Sequence, residues 1–278
     1  MDHDPVRERA ARECRVEEAA RVVARRLGPV PENAVVLGSG LGPLADRLTG
    51  RTEMPVSDIP GHPLPGVAGH AGKWVKGLLG GAPVLALQGR SHFYEGCDLE
   101  QVTFATVLLR RLGVERLLVT NAVGAVSPEL APGDLMLITG AVNLFLHQPR
   151  WNPQARRGQP LDPALMEVAE RVAARNGLAL KRGVLLASPG PCYETAAEVR
   201  MIRKLGGDAA CMSTVPEILA AGQVGLRVAG ISCITNHATG VSATRLEHRE
   251  VIDVANEVAP KFRALVSGIL DIFHREKP

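Results

Sequence analysis

The chain has 278 residues, of which 46% are hydrophobic and 22% charged, with a formal net charge of +3. That length can bury a sizeable core, and a charge so near balance leaves no footprint for nucleic acid and no basic patch for a membrane surface. The opening MDHDPVRERA lacks the apolar centre of a signal peptide, and no run approaches the roughly 20 apolar residues of a membrane span, so a cytoplasmic location is expected. Cys14, Cys97, Cys192, Cys211 and Cys233 form no C-x-x-C pair. They argue against a disulfide framework or a zinc site and read as buried thiols.

The stretch RERAARECR, mixed in charge, reads as a solvated helix face. A helical pattern over residues 16–27 contains its downstream neighbours, and a strand at 34–38 follows. A strand at 83–88 precedes a helix at 99–112, strands at 117–120 and 135–139 precede a helix at 164–176, and a strand at 183–187 precedes helices at 196–205 and 216–221. A strand at 228–235 leads to a long helix from about 250 to 273, which Pro260 should kink or restart. Several of these strands are apolar on both faces, as buried strands are. The alternation predicts an α/β chain: a three-layer sandwich with a mixed central β-sheet flanked by helices, in a single domain over residues 1–278. The irregular stretch 148–160, QPRWNPQARRGQP, reads as a surface loop.

In AVVLGSGLGPLADRL a strand enters a loop with Gly38, Ser39, Gly40 and Gly42, and a helix-like segment leaves it. Backbone N–H groups in such a loop can approach an anion, helped by the helix dipole beyond. Pro43 stands where the third glycine of a dinucleotide fingerprint would be, and no Walker lysine follows, so the loop is read as a phosphate cradle. A plain tight turn, with Ser39 capping the next helix, fits the same letters. In LQGRSHFYEG, Arg90, His92 and Tyr94 share one face if the segment is extended. Arginine offers phosphate a planar fork and histidine can donate beside it, although a surface salt-bridge cluster is the competing explanation.

His70 lies in GVAGHAGKW, where the neighbours have little bulk to bury an imidazole, and is either a site residue or a structural histidine. LLVTNAVGAV ends a strand in Asn121, Ala122 and Gly124, small residues that suit backbone amides facing a ligand or a simple turn. Further on, Tyr193 and Glu194 stand just before a helix, and a strand then descends to Met212 and Ser213. Glu194 could serve only the helix N-terminus, but its aromatic neighbour suggests a flat ligand. Asn236 ends the last strand with an amide that is both donor and acceptor, suited to the edge of a heterocycle.

Taken in one order, GSGLG, GHAG, GRSHFYEG, VTNAVGA, YETAAEVR, MSTVPE and ITN make the sequence resemble the trimeric purine nucleoside phosphorylases of 6-oxopurine type, from the glycine loop to the C-terminal helix. The resemblance implies a phosphorylase/hydrolase-like sheet, a homotrimer, purine nucleoside and orthophosphate as substrates, and no cofactor or metal. It places Ser39, His70, Arg90, His92, the Ala122 backbone and Ser213 around phosphate. Tyr94, Met212 and His248 would contact ribose, with His248 facing the 5′ hydroxyl. Tyr193 would stack on the purine, and Glu194 and Asn236 would bind its edge; His92, Glu194 and Asn236 are the candidate catalytic residues.

The sequence departs from the family in four places. Val123, Gly124 and Ala125 replace a glycine pair, Cys211 stands where glycine is usual, and His237 follows Asn236 in a variable stretch. The family loop that offers a phenylalanine to a neighbouring subunit is shortened to 148–160, with Trp151 its only aromatic residue. Two rivals remain at this stage. In methylthioadenosine phosphorylases, threonine usually replaces the serine of GSGLG and an acidic residue follows the last threonine; a non-catalytic nucleoside-binding module would keep the pocket and release no base.

Overall fold

A computed structural model describes residues 5–67, 69–144, 160–242 and 248–276 of the chain. Strand β1 (Asn33–Leu37) shows how the layers form. Its alternate residues face opposite ways, as the two-residue period of a strand requires. Ala34 and Val36 enter one apolar core, packed by α1 (Pro5–Leu27), α2 (Leu99–Val102), α3 (Phe104–Arg111) and α6 (Val215–Val224). Val35 and Leu37 enter a second core, packed by α4 (Pro163–Arg175) and α7 (His248–Arg275). A smaller cluster under α5 (Ala196–Lys204) joins Val199 and Ile202 to Leu186 and Ala210.

Nine strands form one mixed sheet: β2 (Thr49–Pro55), β3 (Lys73–Leu79), β4 (Ala82–Gln88), β1, β5 (Arg116–Ala125), β8 (Ala209–Cys211), β7 (Leu180–Ala187), β6 (Leu135–Asn143) and β9 (Arg227–His237), in that spatial order. Because β9 also pairs with β5, the last five strands close on themselves. The expected α/β sandwich with a mixed sheet is therefore observed, and the closed portion is an addition to it.

Three local expectations need correction, and a fourth is narrowed to one of its alternatives. The segment after the glycine loop is a short 3-10 helix, Gly42–Arg47, with no side-chain cap, so it supplies no α-helix dipole and Ser39 caps nothing. The helix expected at 99–112 is two helices, because Thr103 breaks the ladder and its hydroxyl donates to the Leu99 carbonyl at 2.7 Å. Strand β5 runs on through Asn121–Gly124, which excludes the simple turn there. Helix α7 passes through Pro260 without restarting. Val258, Phe262, Leu265 and Ile269 are all buried on it, each such side chain contributing about 1.5–3 kcal/mol, which offsets the proline penalty of about 3 kcal/mol.

The strands β2 and β3 escaped the sequence reading. β2 is an edge strand with mostly exposed, polar residues, and β3 interrupts its apolar run with lysines and glycine. The cysteines are all free, but Cys14 and Cys192 are exposed, so only part of the set fits the expectation of buried thiols. The stretch RERAARECR does lie in α1, where Arg15 pairs with Glu100 at 2.7 Å.

Candidate active site

Parallel pairing of β1 with β4 and β5 brings the ends of β1 and β4 beside the middle of β5: Leu37 pairs with Gln88, and Val36 with Val119. The residues that follow, Ser39, Arg90 and Ala122, therefore meet at one carboxyl edge, the usual ligand side of such sheets. Strand β9 runs parallel to β5, and a register shift after Val123 sets Asn236 opposite Gly124. Strand β8 delivers Cys211, Met212 and Ser213 from the other side. One pocket results, lined by Ser39, Arg90, His92, Tyr94, Ala122 and Ser213 and, further along, by Tyr193, Glu194, Met212 and Asn236.

Arg90 is the most constrained of these groups. Its Nε donates to Glu217 Oε1 at 2.9 Å, and its Nη2 donates to Glu217 Oε2 at 3.1 Å and to the Thr120 carbonyl at 2.9 Å. Arg90 and Glu217 are only 6% and 4% exposed, so this is a buried fork and not a surface cluster. The approach requires Gly38: a Cβ there would sit 2.7 Å from the Thr120 oxygen and 2.9 Å from Arg90 Nη1. Nη1 has no hydrogen-bond partner among the described residues, and Arg90 lines the pocket.

His70 is buried after all, because Ser39, Arg90 and His92 supply the bulk its own neighbours lack. Its Nδ1 lies 2.7 Å from the Arg90 carbonyl and 3.2 Å from the Arg90 N–H, and its Nε2 lies 3.2 Å from Ser39 Oγ. With Nδ1 protonated, the serine hydroxyl donates to Nε2. With Nε2 protonated, the ring donates to the serine and the hydroxyl proton is released toward an anion. His70 stands behind Ser39 and does not line the pocket itself.

The residues 90–94 converge without being extended, since Phe93–Glu95 form a 3-10 turn. His92 stacks between His70 and Tyr94, at ring-centre distances of 5.2 and 4.8 Å. Glu95 Oε1 receives both the His92 backbone N–H at 2.8 Å and its Nδ1–H at 2.7 Å. Burial holds His92 down at about 4 against the pull of Glu95, with Arg90 adding to the depression. Burial likewise lowers His70. Burial would raise Glu95, but hydrogen bonds from the Gly66 N–H and from His92 outweigh it, and its carboxyl lies below the usual range. The cradle therefore holds one cation, Arg90, against two carboxylates and two neutral imidazoles.

At the other end, Thr235 Oγ1 donates to Asn236 Oδ1 at 2.9 Å, and Asn236 Nδ2 donates to the His237 carbonyl at 3.0 Å. One hydrogen and one lone pair of that amide stay available. His237 thus contributes its carbonyl, while its own Nδ1 is buried without a partner. Glu194 accepts from Ser188 Oγ at 2.8 Å and leaves the N-terminus of α5 to Thr195 and Glu198, which form its capping box. Tyr193 is 47% exposed at the pocket wall.

Of the residues that depart from the family pattern, Val123, Gly124 and Cys211 line the pocket. Burial pushes the Cys211 thiol up to about 12, and the thiol donates to the Ser213 carbonyl at 3.1 Å, so it is no nucleophile at neutral pH. Thr214, with φ of 61°, is the one non-glycine residue at positive φ among those described, and it turns Ser213 into the pocket at the start of α6. His248 opens α7, but its side chain lies outside the described structure, as do Trp151 and residues 145–159.

Three contributors were not legible in the sequence. Glu217 touches Arg90 and Ser188 touches Glu194; Glu217 ends the MSTVPE motif without a legible role, and no local pattern announces Ser188. Asn121 was read only for its size. Its Oδ1 accepts from Ser232 Oγ at 2.8 Å, and its Nδ2 is a buried donor without a partner at the pocket wall.

Residues 33–271 match the family described as the phosphorylase superfamily. The chain is 43% identical over 264 residues to purine nucleoside phosphorylase 1 of Bacillus subtilis (strain 168), covering 92% of this chain and 97% of that one. It is 38% identical to the purine nucleoside phosphorylase of Bos taurus, over 86% of this chain and 88% of that one. Among solved structures, Schistosoma mansoni purine nucleoside phosphorylase in complex with inosine superposes with a TM-score of 0.84 at 29% identity, over 95% and 97% of the two chains. The chain belongs to the phosphorylase superfamily and, within it, to the purine nucleoside phosphorylases.

Proposed function

We propose that the chain carries out reversible phosphorolysis of 6-oxopurine ribo- and deoxyribonucleosides, inosine and guanosine first, to free base and pentose 1-phosphate. The observation that carries this reading is a single pocket with an anion cradle at one end and an amide–carboxylate pair at the other. Arg90 Nη1, the Ala122 backbone and the hydroxyls of Ser39 and Ser213 hold orthophosphate, the co-substrate, beside His92. They position the nucleophile and do not react themselves. Tyr94 and Met212 flank the ribose, and His248 is assigned to its 5′ hydroxyl. Tyr193 lies against the purine.

Phosphate attacks the anomeric carbon from the face opposite the base as the glycosidic bond opens toward an oxocarbenium-like sugar. The leaving purine gathers negative charge, so a donor at its edge helps more in the transition state than before it. Asn236 is that donor, toward N7 and O6, and Glu194 accepts from N1–H. Adenine carries no proton at N1 and is therefore disfavoured. No cofactor or metal enters any step.

A homotrimer in the cytoplasm goes with this proposal. The likeness to trimeric phosphorylases supports the assembly, and five free cysteines fit a reducing compartment. The test of the activity is release of hypoxanthine from inosine by the purified chain with and without phosphate. Release that requires phosphate is expected; binding of inosine without any release would favour the non-catalytic module.

A further inference from the structure

We propose that Ser188 is a specificity-determining positioning residue, which holds one oxygen of Glu194 so that the other faces the ring N–H of a 6-oxopurine. This deepens the functional reading above and rests on its placement of Glu194 at the base.

Ser188 stands at the end of β7, where its N–H donates to the Cys211 carbonyl at 3.0 Å and so extends the β7–β8 pairing. Glu194 stands six residues on, in the loop that leads to α5. The 2.8 Å bond from Ser188 Oγ to Glu194 Oε1 closes that loop across its base and ties the carboxylate to the end of a strand. The loop is also pressed onto the pocket wall at Gly190, where a Cβ would lie 2.7 Å from Met212 Sδ and 2.8 Å from Tyr94 Cδ1. The loop is thus fixed at Gly190 by shape and across its two ends by a hydrogen bond.

Glu194 lines the pocket, whereas Ser188 does not, so the serine acts through the carboxylate. A hydroxyl that donates to Oε1 fixes the rotamer of the carboxylate and leaves Oε2 to the ligand. A carboxylate held in that orientation accepts from the N1–H of hypoxanthine or guanine and faces the lone pair of adenine N1 with repulsion. Without the serine, the carboxylate can turn away from the base, and the contact to a ring N–H is lost while adenine, which has none, loses nothing. Ser188 therefore contributes to discrimination between the two purine classes more than to binding of phosphate, whose cradle lies at the other end.

The test is steady-state kinetics of Ser188→Ala and Ser188→Thr with inosine, guanosine, adenosine and phosphate varied in turn. Loss of one hydrogen bond to a charged group predicts about a tenfold fall in kcat/KM for the two 6-oxopurine nucleosides. Adenosine turnover and the KM for phosphate stay unchanged, and Ser188→Thr restores inosine turnover. Equal losses on inosine and adenosine, or no loss on either, overturn the proposal. Calorimetry with hypoxanthine alone separates this idea from the functional reading. If the wild type binds hypoxanthine but cleaves no inosine, the reading falls, while weaker hypoxanthine binding by Ser188→Ala still supports the positioning role.

Discussion

At the end of the pocket proposed for the anion each polar side chain is already held by another part of the chain, whereas at the end proposed for the purine Tyr193 and Glu194 stand on a loop and are partly exposed, and Asn236 alone is buried. Arg90 is forked onto Glu217 and 6% exposed, and Ser39 is engaged by His70. Tyr193 is 47% exposed, and Glu194 has a single side-chain tether. The difference follows from the ligands. A small, hydrated anion with no shape of its own must be recognised by donors fixed before it arrives, because ordering them afterwards would cost affinity. A flat purine brings its own rigidity and surface, and its site must open to admit it.

The sharpest way to break this contrast is to loosen the rigid end. Glu217→Ala leaves a buried guanidinium without its counter-ion, at a cost of about 3–5 kcal/mol of stability. Denaturation midpoints should fall accordingly, and added phosphate should recover part of the loss, since the anion supplies the missing charge. A fall that phosphate leaves untouched would mean that Arg90 does not face the anion.

Next in size is the purine end. If Asn236 is the donor proposed above, Asn236→Ala removes an interaction made in the transition state, worth about 3 kcal/mol, so kcat for inosine should fall by a hundredfold or more while phosphate affinity holds. Asn236→Asp should relatively favour adenosine over inosine. Equal losses on both nucleosides would contradict the assignment.

The smallest effect concerns the imidazoles. Burial depresses His92 from its ordinary 6.5 to about 4, so it is neutral at pH 7, among Arg90, His70 and Glu95. A bound dianion favours the protonated ring. Sulfate, whose own charge is constant over this range, should therefore bind more tightly as pH falls from about 7 to 5, and His92→Gln should flatten the slope. The unliganded protein should show the opposite trend. Because the folded pKa values of His70 and His92 are depressed, their contribution to stability is complete above 6.5 and is lost as pH falls toward the folded values, about 4 for His92.

Ser39, Arg90, His92 and Asn236 could be found in the sequence because each is a chemically distinctive residue at or just beyond the end of an apolar strand, and Glu194 because it stands beside Tyr193 ahead of a helix; the resemblance supplied their roles. Glu217 could not, since it lies 127 residues from Arg90 and sits in a helix whose letters show only a buried apolar run. Nor could Ser188, whose significance appears only when the loop to Glu194 is closed. The alternation of elements revealed the layers, because alternate residues of strands such as β1 feed two cores. Closure of β9 onto β5 and β6 was hidden, since strand order depends on pairings between distant segments. The edge strand β2 was hidden by its own exposure: with little surface to bury it has no apolar pattern to read.

The central claim is that phosphate, held at the strand ends, displaces the purine from the opposite face of the sugar. Nuclear magnetic resonance of the sugar phosphate formed from inosine tests it directly. The account predicts the α-anomer of ribose 1-phosphate, inverted at the anomeric carbon; the β-anomer, or free ribose in its place, would contradict it.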